Sequence, residues 1–534
     1  MSGDGWLMQR REFLAAMAAV GARFGLGATA VGCAAREGQG PPPEAPPIPA
    51  DAFQLGVASG DPLHDRVILW TRLAPEPLAA DWGMPEVEVP VVWEVFADAA
   101  MTDMVATGWA WAVPAFAHAV HADATGLDPA TAYWFRFRVG DVQVSPTGRT
   151  RTLPAPESSP ERVRIALACC QKYSSGFYSA YAHLAEAELD AVLHLGDYIY
   201  ESGSNSRVEG RLPIDTARVT DLAGFRERYA AYRMDPQLQA AHAAHPWIVV
   251  WDDHEVSNNY ANLTLSEPRR EDGDPAEMRR GAYQAWYEHM PVRIEAPEDA
   301  LHLKIYRAFQ FGDLITLAML DTRQYRDPQP CDDRPGVACD DIFDGGRTLL
   351  GEAQLRWLGT VLEGSDARWN LIGQQVLFSP VLTEVGLANP DQWDGYMDDR
   401  QAVLDLLARP EVRSPIVLSG DVHAAGFGEL YADQWDPSSP TVAIEVLTTS
   451  ISSGGDGADG IARVAAAAES LSDSIHYFDA ARRGFAVLDI QPDQCEVTYF
   501  AVTTVLSPEA DLYVVRRYTI AANSLTMAEV ERND

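Results

Sequence analysis

Six short apolar runs in the later two-thirds of the chain break off in or beside polar residues. They extend from Arg164 to Cys169, Ala191 to Leu195, Trp247 to Trp251, Leu314 to Leu320, Asn370 to Leu377 and Ile416 to Leu418. Runs this short, separated by helical patterns, read as buried strands of a layered α/β domain. Several end directly in Asp, His or Cys, so such a fold delivers those groups to one edge of a sheet, where sites in α/β proteins lie.

The preceding segment follows another pattern. From Asp51 to about Leu153 the runs VILWTRL, VEVPVVWEVFA and WFRFRV alternate with turn signals, and no long amphipathic helix intervenes. Residues 51–153 therefore predict a small all-β sandwich of the immunoglobulin or fibronectin kind. The stretch TLPAPESSP marks a boundary, after which the α/β domain is expected over residues 160–522, leaving 523–534 as a C-terminal tail. With 534 residues, 47% of them apolar, the chain is long enough for more than one core.

Residues 1–33 read as an address. Arg10 and Arg11 precede Glu12, Phe13 and Leu14 and an Ala- and Gly-rich stretch, which resembles a twin-arginine signal and implies the twin-arginine translocation machinery as a partner. Cys33 follows Ala30, Val31 and Gly32, a sequence similar to a lipoprotein box, so a lipid anchor at Cys33 and simple cleavage both stay open. Residues 34–50 read as a proline-stiffened linker. The expected location is extracytoplasmic: periplasmic or secreted, with or without the anchor. In an oxidising compartment Cys331 and Cys339, which flank the polar loop DDRPGVA, could close a disulfide.

The 41 Lys and Arg against 77 Asp and Glu give a formal charge of −36, opposite to the basic footprint of a nucleic-acid binder. No stable nucleic-acid complex is expected. Such a chain also repels an anionic substrate unless bound cations reverse the local field.

Four strand ends carry the chemistry. HLGDYIYE places Asp197 after a strand and Tyr200 three residues on, two hard oxygen donors for one cation. WDDHEVSNNY concentrates Asp252, Asp253, His254, Glu255, Asn258 and Asn259 in one loop, costly to bury unless metal, water or mutual pairing satisfies them. In IVLSGDVHAAG, Asp421 and His423 stand at i and i+2, and extended backbone points such residues the same way. At Cys169 and Cys170 a strand ends in two thiols, and a thiolate is a strong ligand for iron.

The motifs FQLGVASGDP, VILWTRL, HADATGLDPATAYWFRF, SPTGRTRT, CCQ, GDYIYE, WDDHEVSNN, LDTRQYR, WDGY and GDVH together resemble the PhoD family of alkaline phosphatases and phosphodiesterases, in the family's order. The resemblance implies a metallophosphoesterase α/β/β/α sandwich holding ferric iron (Fe3+) next to calcium (Ca2+). Carried over, the iron ligands are Cys170, Asp197, Tyr200 and His423. Calcium shares the bridging Asp197 and takes Asn259 and Asp421, with Asp253 in the same loop. Ala168 and Cys169 replace the more usual Ala-Ser before the family's cysteine, which leaves the choice of thiol open between Cys169 and Cys170 and favours the one beside Gln171. The expected reaction is hydrolysis of phosphate monoesters or diesters, for phosphate scavenging, by in-line attack of a metal-bound hydroxide between cations about 3.5–4 Å apart. His254 is expected to protonate the leaving oxygen or stabilise the pentacoordinate phosphorus, and Arg323 or Arg326 to bind non-bridging oxygens. A phospholipase D-like hydrolase of lipid headgroups and a non-catalytic, metal-stabilised surface module are the competing readings.

Overall fold

In the computed structural model of the chain the apolar runs are strands that stop where the polar residues begin. The structure describes residues 37–533 apart from 39, 203–207, 209–210, 212–216, 267–272, 335–338, 344, 384–385, 388 and 458–473. The twin-arginine segment, Cys33 and the first residues of the linker lie outside the described residues.

Val163–Ala168, Ala191–His194 and Pro246–Val249 pair in parallel in one sheet. Ile315–Met319, Trp369–Gly373, Pro415–Ser419 and Thr441–Leu447 pair in parallel in a second. Val57–Gly60, parallel to Pro246–Val249, and a set of antiparallel strands complete them, to ten strands and seven among the described residues. The sheets share one core, to which the first gives Leu167, Leu193 and Ile248 and the second Leu317, Leu371, Leu418 and Val446. Helices cover the outer faces. Gly351–Glu363 and Met397–Leu407 bury Leu358, Leu362, Val403 and Leu407 with Ile372 and Val417 of the seven-stranded sheet. Leu222–Arg233 and Pro275–His289 bury Phe225, Tyr229, Met278 and Trp286 with the ten-stranded sheet. Asp221 and Asp274 cap the last two of these helices, and Asp235 caps the neighbouring helix Pro236–Ala244, by accepting from first-turn backbone N–H groups. The result is the expected α/β/β/α sandwich.

The expected β-sandwich is present, with one difference. In Ala132–Val139 the residues Tyr133, Phe135, Phe137 and Val139 are buried and their neighbours are not, the period-two pattern of a half-buried strand. This strand, Val89–Phe96 and Met104–Ala112 form the body of a six-stranded sheet. Its inner face packs on Val67, Leu69, Val120 and Ala122, which belong to strands of the ten-stranded sheet. The sandwich therefore borrows its second layer from the sheet that carries the site. Val57–Gly60 makes the joint, pairing Ser59 and Gly60 with Pro246 and Trp247, so an edge strand that would expose unpaired backbone groups is covered. Gly60 is required at this approach: a Cβ there would lie 2.2 Å from the Pro291 carbonyl oxygen and 2.6 Å from that of Trp247.

The C-terminal segment, expected as a tail, adds an edge strand, Met527–Arg532, to Leu512–Ala521. Its side chains are largely exposed, so backbone pairing rather than burial orders it, and hydrophobic patterning gives no sign of it. Among the described residues no helix is long and apolar enough to cross a membrane.

Candidate metal centre

Four strand ends meet at one edge of the packed sheets. Cys170 follows Val163–Ala168, Asp197 follows Ala191–His194, the Asp252–Asn259 loop follows Pro246–Val249, and Asp421 and His423 follow Pro415–Ser419 of the opposing sheet. At five candidate ligands the backbone is left-handed: φ is 56° at Cys170, 57° at Asp197, 50° at Asn259, 65° at Asp421 and 56° at His423. Each such residue costs roughly 1–3 kcal/mol and persists where surrounding structure enforces it, a pattern typical of functional sites.

The donor atoms fall into three overlapping groups, each within 4.8 Å: Cys170, Asp197 and His423; Asp197, Asp253 and His254; Asp252, Asp253 and Asp421. Asp197 links the first two and Asp253 the last two. The Tyr200 hydroxyl joins the first group, donating to Asp197 Oδ2 at 2.6 Å, lying 3.1 Å from His423 Nε2 and accepting from Ser453 Oγ at 2.8 Å. Asn259 stands beside Asp253, donating its backbone N–H to Asp253 Oδ2 at 2.7 Å. Its side-chain amide donates to Asp333 at 2.8 Å, in the loop tied by the Cys331–Cys339 disulfide. The two adjacent thiols part: Cys169 Sγ turns to the carbonyls of Thr448 and Thr449 at 3.8 and 3.7 Å, whereas Cys170 Sγ enters the ligand group.

Residues 165–499 match the PhoD-like phosphatase family, and residues 39–154 match the family's N-terminal domain. This chain belongs to the PhoD-like phosphatase family. It is 42% identical over 477 residues to alkaline phosphatase D of Bacillus subtilis (strain 168), an alignment spanning 87% of this chain and 80% of that relative. A solved structure of PhoD superposes with a TM-score of 0.86 at 39% identity, over 92% of this chain and 94% of that one. The chain is a phosphoesterase of this family, which sets aside the non-catalytic reading.

The electrostatics of this PhoD-type centre call for cations. Burial, then the Asp253 and Asp252 charges, hold the Asp197 carboxyl well above the usual range. Burial and Asp253 push Asp421 up to about 7. Burial raises Asp252 too, against the pull of Arg323. Asp253 moves the other way, because His254 and Arg323 outweigh its burial. His423 is lowered to about 3 by burial, so its imidazole is neutral, as a metal ligand must be. Asp252 Oδ2 is buried with no hydrogen-bond partner among the described residues. Crowded carboxyls, an orphaned oxygen and a neutral imidazole are the state that bound cations relieve, so the donor set fits a metal.

Two glutamates in the motifs escape notice when those are read only for metal ligands. Glu255 accepts from the backbone N–H groups of Asp197, Tyr198 and Asp252 at 3.0, 2.6 and 2.8 Å, stapling the two acidic loops together. Glu201 lies 2.7 Å from His254 Nδ1. Burial would lower the His254 ring, but Asp253 and Glu201 raise it. Both acids stand in plain view in GDYIYE and WDDHEVSNN, but each reaches across to the other loop, Glu255 to Asp197 and Tyr198 and Glu201 to His254.

Arg323 and Arg326, expected to bind substrate oxygens, stand among carboxylates. Both side chains are fully buried. Arg323 reaches Asp252 at 2.5 Å and Asp391 at 2.7 Å, with Asp421 and Asp253 at 3.6 and 3.9 Å. Arg326 donates to Asp391 at 2.8 Å and to the Thr322 carbonyl at 2.5 Å. Both guanidiniums neutralise carboxylates from within the protein, and each keeps its Nη2 without a hydrogen-bond partner among the described residues.

Proposed function

We propose that this chain is exported through the twin-arginine machinery and hydrolyses small phosphate monoesters, diesters or both outside the cytoplasm. Cys170, Asp197, Tyr200 and His423 would hold ferric iron, and Asp197, Asp253, Asn259 and Asp421 would hold calcium beside it. The observation that carries this reading is the position of Asp197, common to a thiol–imidazole group and a carboxylate group whose donor atoms lie within 4.8 Å. Donor chemistry supports the pair: thiolate, phenolate and imidazole suit iron, and oxygen donors suit calcium.

When bound, the cations would supply Lewis-acid chemistry, neutralising phosphoryl oxygens and activating water for in-line displacement. The chain's own residues do the remaining work. Glu201 holds His254 through Nδ1, which fixes the ring and leaves Nε2 to deliver a proton to the leaving oxygen. Arg323, with Asp391, keeps the acidic loops from repelling one another.

The test is metal analysis of purified protein together with assays on p-nitrophenyl phosphate, bis-p-nitrophenyl phosphate and phosphatidylcholine, the last separating out headgroup hydrolysis. Asp197→Asn is expected to abolish hydrolysis with the β-sandwich still folded. Activity within about threefold of the parent would defeat an assignment that needs both cations.

A further inference from the structure

An acidic centre needs a cation that faces its anionic substrate, and the guanidiniums of Arg323 and Arg326 are fully buried among carboxylates. We propose that Lys172 is that cation: its ammonium receives a non-bridging oxygen of the bound phosphoryl group and favours a dianionic monoester over a monoanionic diester. The inference rests on the phosphoesterase reading above.

Lys172 lies two residues beyond Cys170, and its main chain is tied down on both sides. Its N–H donates to Ser453 Oγ at 2.9 Å, and its carbonyl accepts from Ser452 Oγ at 3.0 Å and from the Ser175 N–H at 3.0 Å. Ser453 Oγ also meets the Tyr200 hydroxyl at 2.8 Å, so the lysine's anchor and the phenol of the first ligand group share one serine. The ammonium stands 5.0 Å from the centre of the Tyr200 ring, the ring against which His254 packs at 4.0 Å. Its charge acts on both histidines of the centre, His254 and His423.

What separates Lys172 from nearby cations is its freedom. Arg228 is buried and spent on the carbonyls of Tyr200, Ser202 and Ala217, and Arg218 is buried against Glu201. Lys172 is only half-buried and makes no ion pair among the described residues. A flexible stem with three donors, half-buried and seated against the Tyr200 ring, suits a phosphoryl oxygen arriving from solvent. A diester replaces one charged oxygen by a second ester link, so it loses both a charge and an acceptor.

The experiment compares metal-loaded parent, Lys172→Met and Lys172→Arg at about pH 8, where a monoester whose second pKa is near 6 is a dianion. The readouts are kcat and KM on p-nitrophenyl phosphate and on bis-p-nitrophenyl phosphate, inhibition by inorganic phosphate, and metal content. Lys172→Met should raise KM for the monoester and the inhibition constant of phosphate about tenfold, the size of one charge-assisted hydrogen bond. Diester KM should move by less than about threefold, metal content should hold, and Lys172→Arg should recover most of the loss. Equal losses on both esters, no loss on either, or loss of metal from Lys172→Met would overturn the proposal. A parent that cleaves neither ester would instead refute the functional reading, and titration with inorganic phosphate would still decide the role of Lys172.

Discussion

Replacing Arg323 by methionine removes a buried cation from among four carboxylates while keeping most of the side chain's length. Asp252 and Asp391 lie 2.5 and 2.7 Å from its guanidinium, and Asp421 and Asp253 at 3.6 and 3.9 Å. Removing one member of a buried ion pair costs about 3–5 kcal/mol, because the charge left behind is neither solvated nor paired. Asp391 keeps Arg326 and Gln329 at 2.8 and 2.6 Å, so the uncompensated charge falls on Asp252 and the loss belongs at the lower end, about 3 kcal/mol. Unfolding entropy of about 2.1 cal/mol/K per residue, taken over 534 residues, is about 1.1 kcal/mol/K. The expected fall in melting temperature is therefore about 3 °C in chelator-treated protein, and less in metal-loaded protein, where cations offset the same carboxylates. Calorimetry on both forms is the assay. A chelated variant melting within about 1 °C of the parent would refute the argument, more so if its KM for phosphate esters rose, since that pairing is what a substrate clamp produces.

The adjacent thiols should separate cleanly. Cys170→Ser is expected to lose iron and most activity, whereas Cys169→Ser, altering a thiol turned to the carbonyls of Thr448 and Thr449, should cost about 1 kcal/mol; iron stoichiometry of the two variants decides, and iron loss from Cys169→Ser reverses the ligand choice. Glu201→Gln should lower kcat by about tenfold or more with metal content intact, and should move the alkaline limb of the pH profile to lower pH, because the carboxylate that raises His254 is gone; a lower melting temperature with an unmoved profile would make Glu201 structural only. His121 is buried against Tyr287 and the Met290 carbonyl, and burial lowers it from 6.5 to about 4. A lowered histidine contributes stability that is full above 6.5 and lost as pH falls through 4, a gap worth about 3 kcal/mol. His121→Asn should therefore flatten the fall in melting temperature between about pH 7 and 4, and an unchanged slope would count against it.

The strands and the ligand motifs were legible because both are local. A buried strand declares itself by its apolar run, and the run's end names the residue delivered to the sheet edge, as with Asp197 after Ala191–His194 and Asp421 after Pro415–Ser419. Period-two burial in Ala132–Val139 is likewise written in the sequence. The joint at Gly60 was not legible, since it depends on Pro246 and Trp247 nearly two hundred positions away.

What the sequence determined by itself was the inventory of donors and the order of the motifs that carry them. Which arginine serves which acid was decided only when the loops met: Arg323 and Asp252 are 71 residues apart, Glu255 and Asp197 58, and Lys172 and Ser453 281. That the sequence showed neither the carboxylate partners of Arg323 nor the contacts of Glu201, Glu255 and Lys172 has one cause. A charged side chain looks the same in sequence whether it faces solvent or a buried carboxylate. Only packing decides which, because the low dielectric between the sheets forces every buried charge to find a partner there.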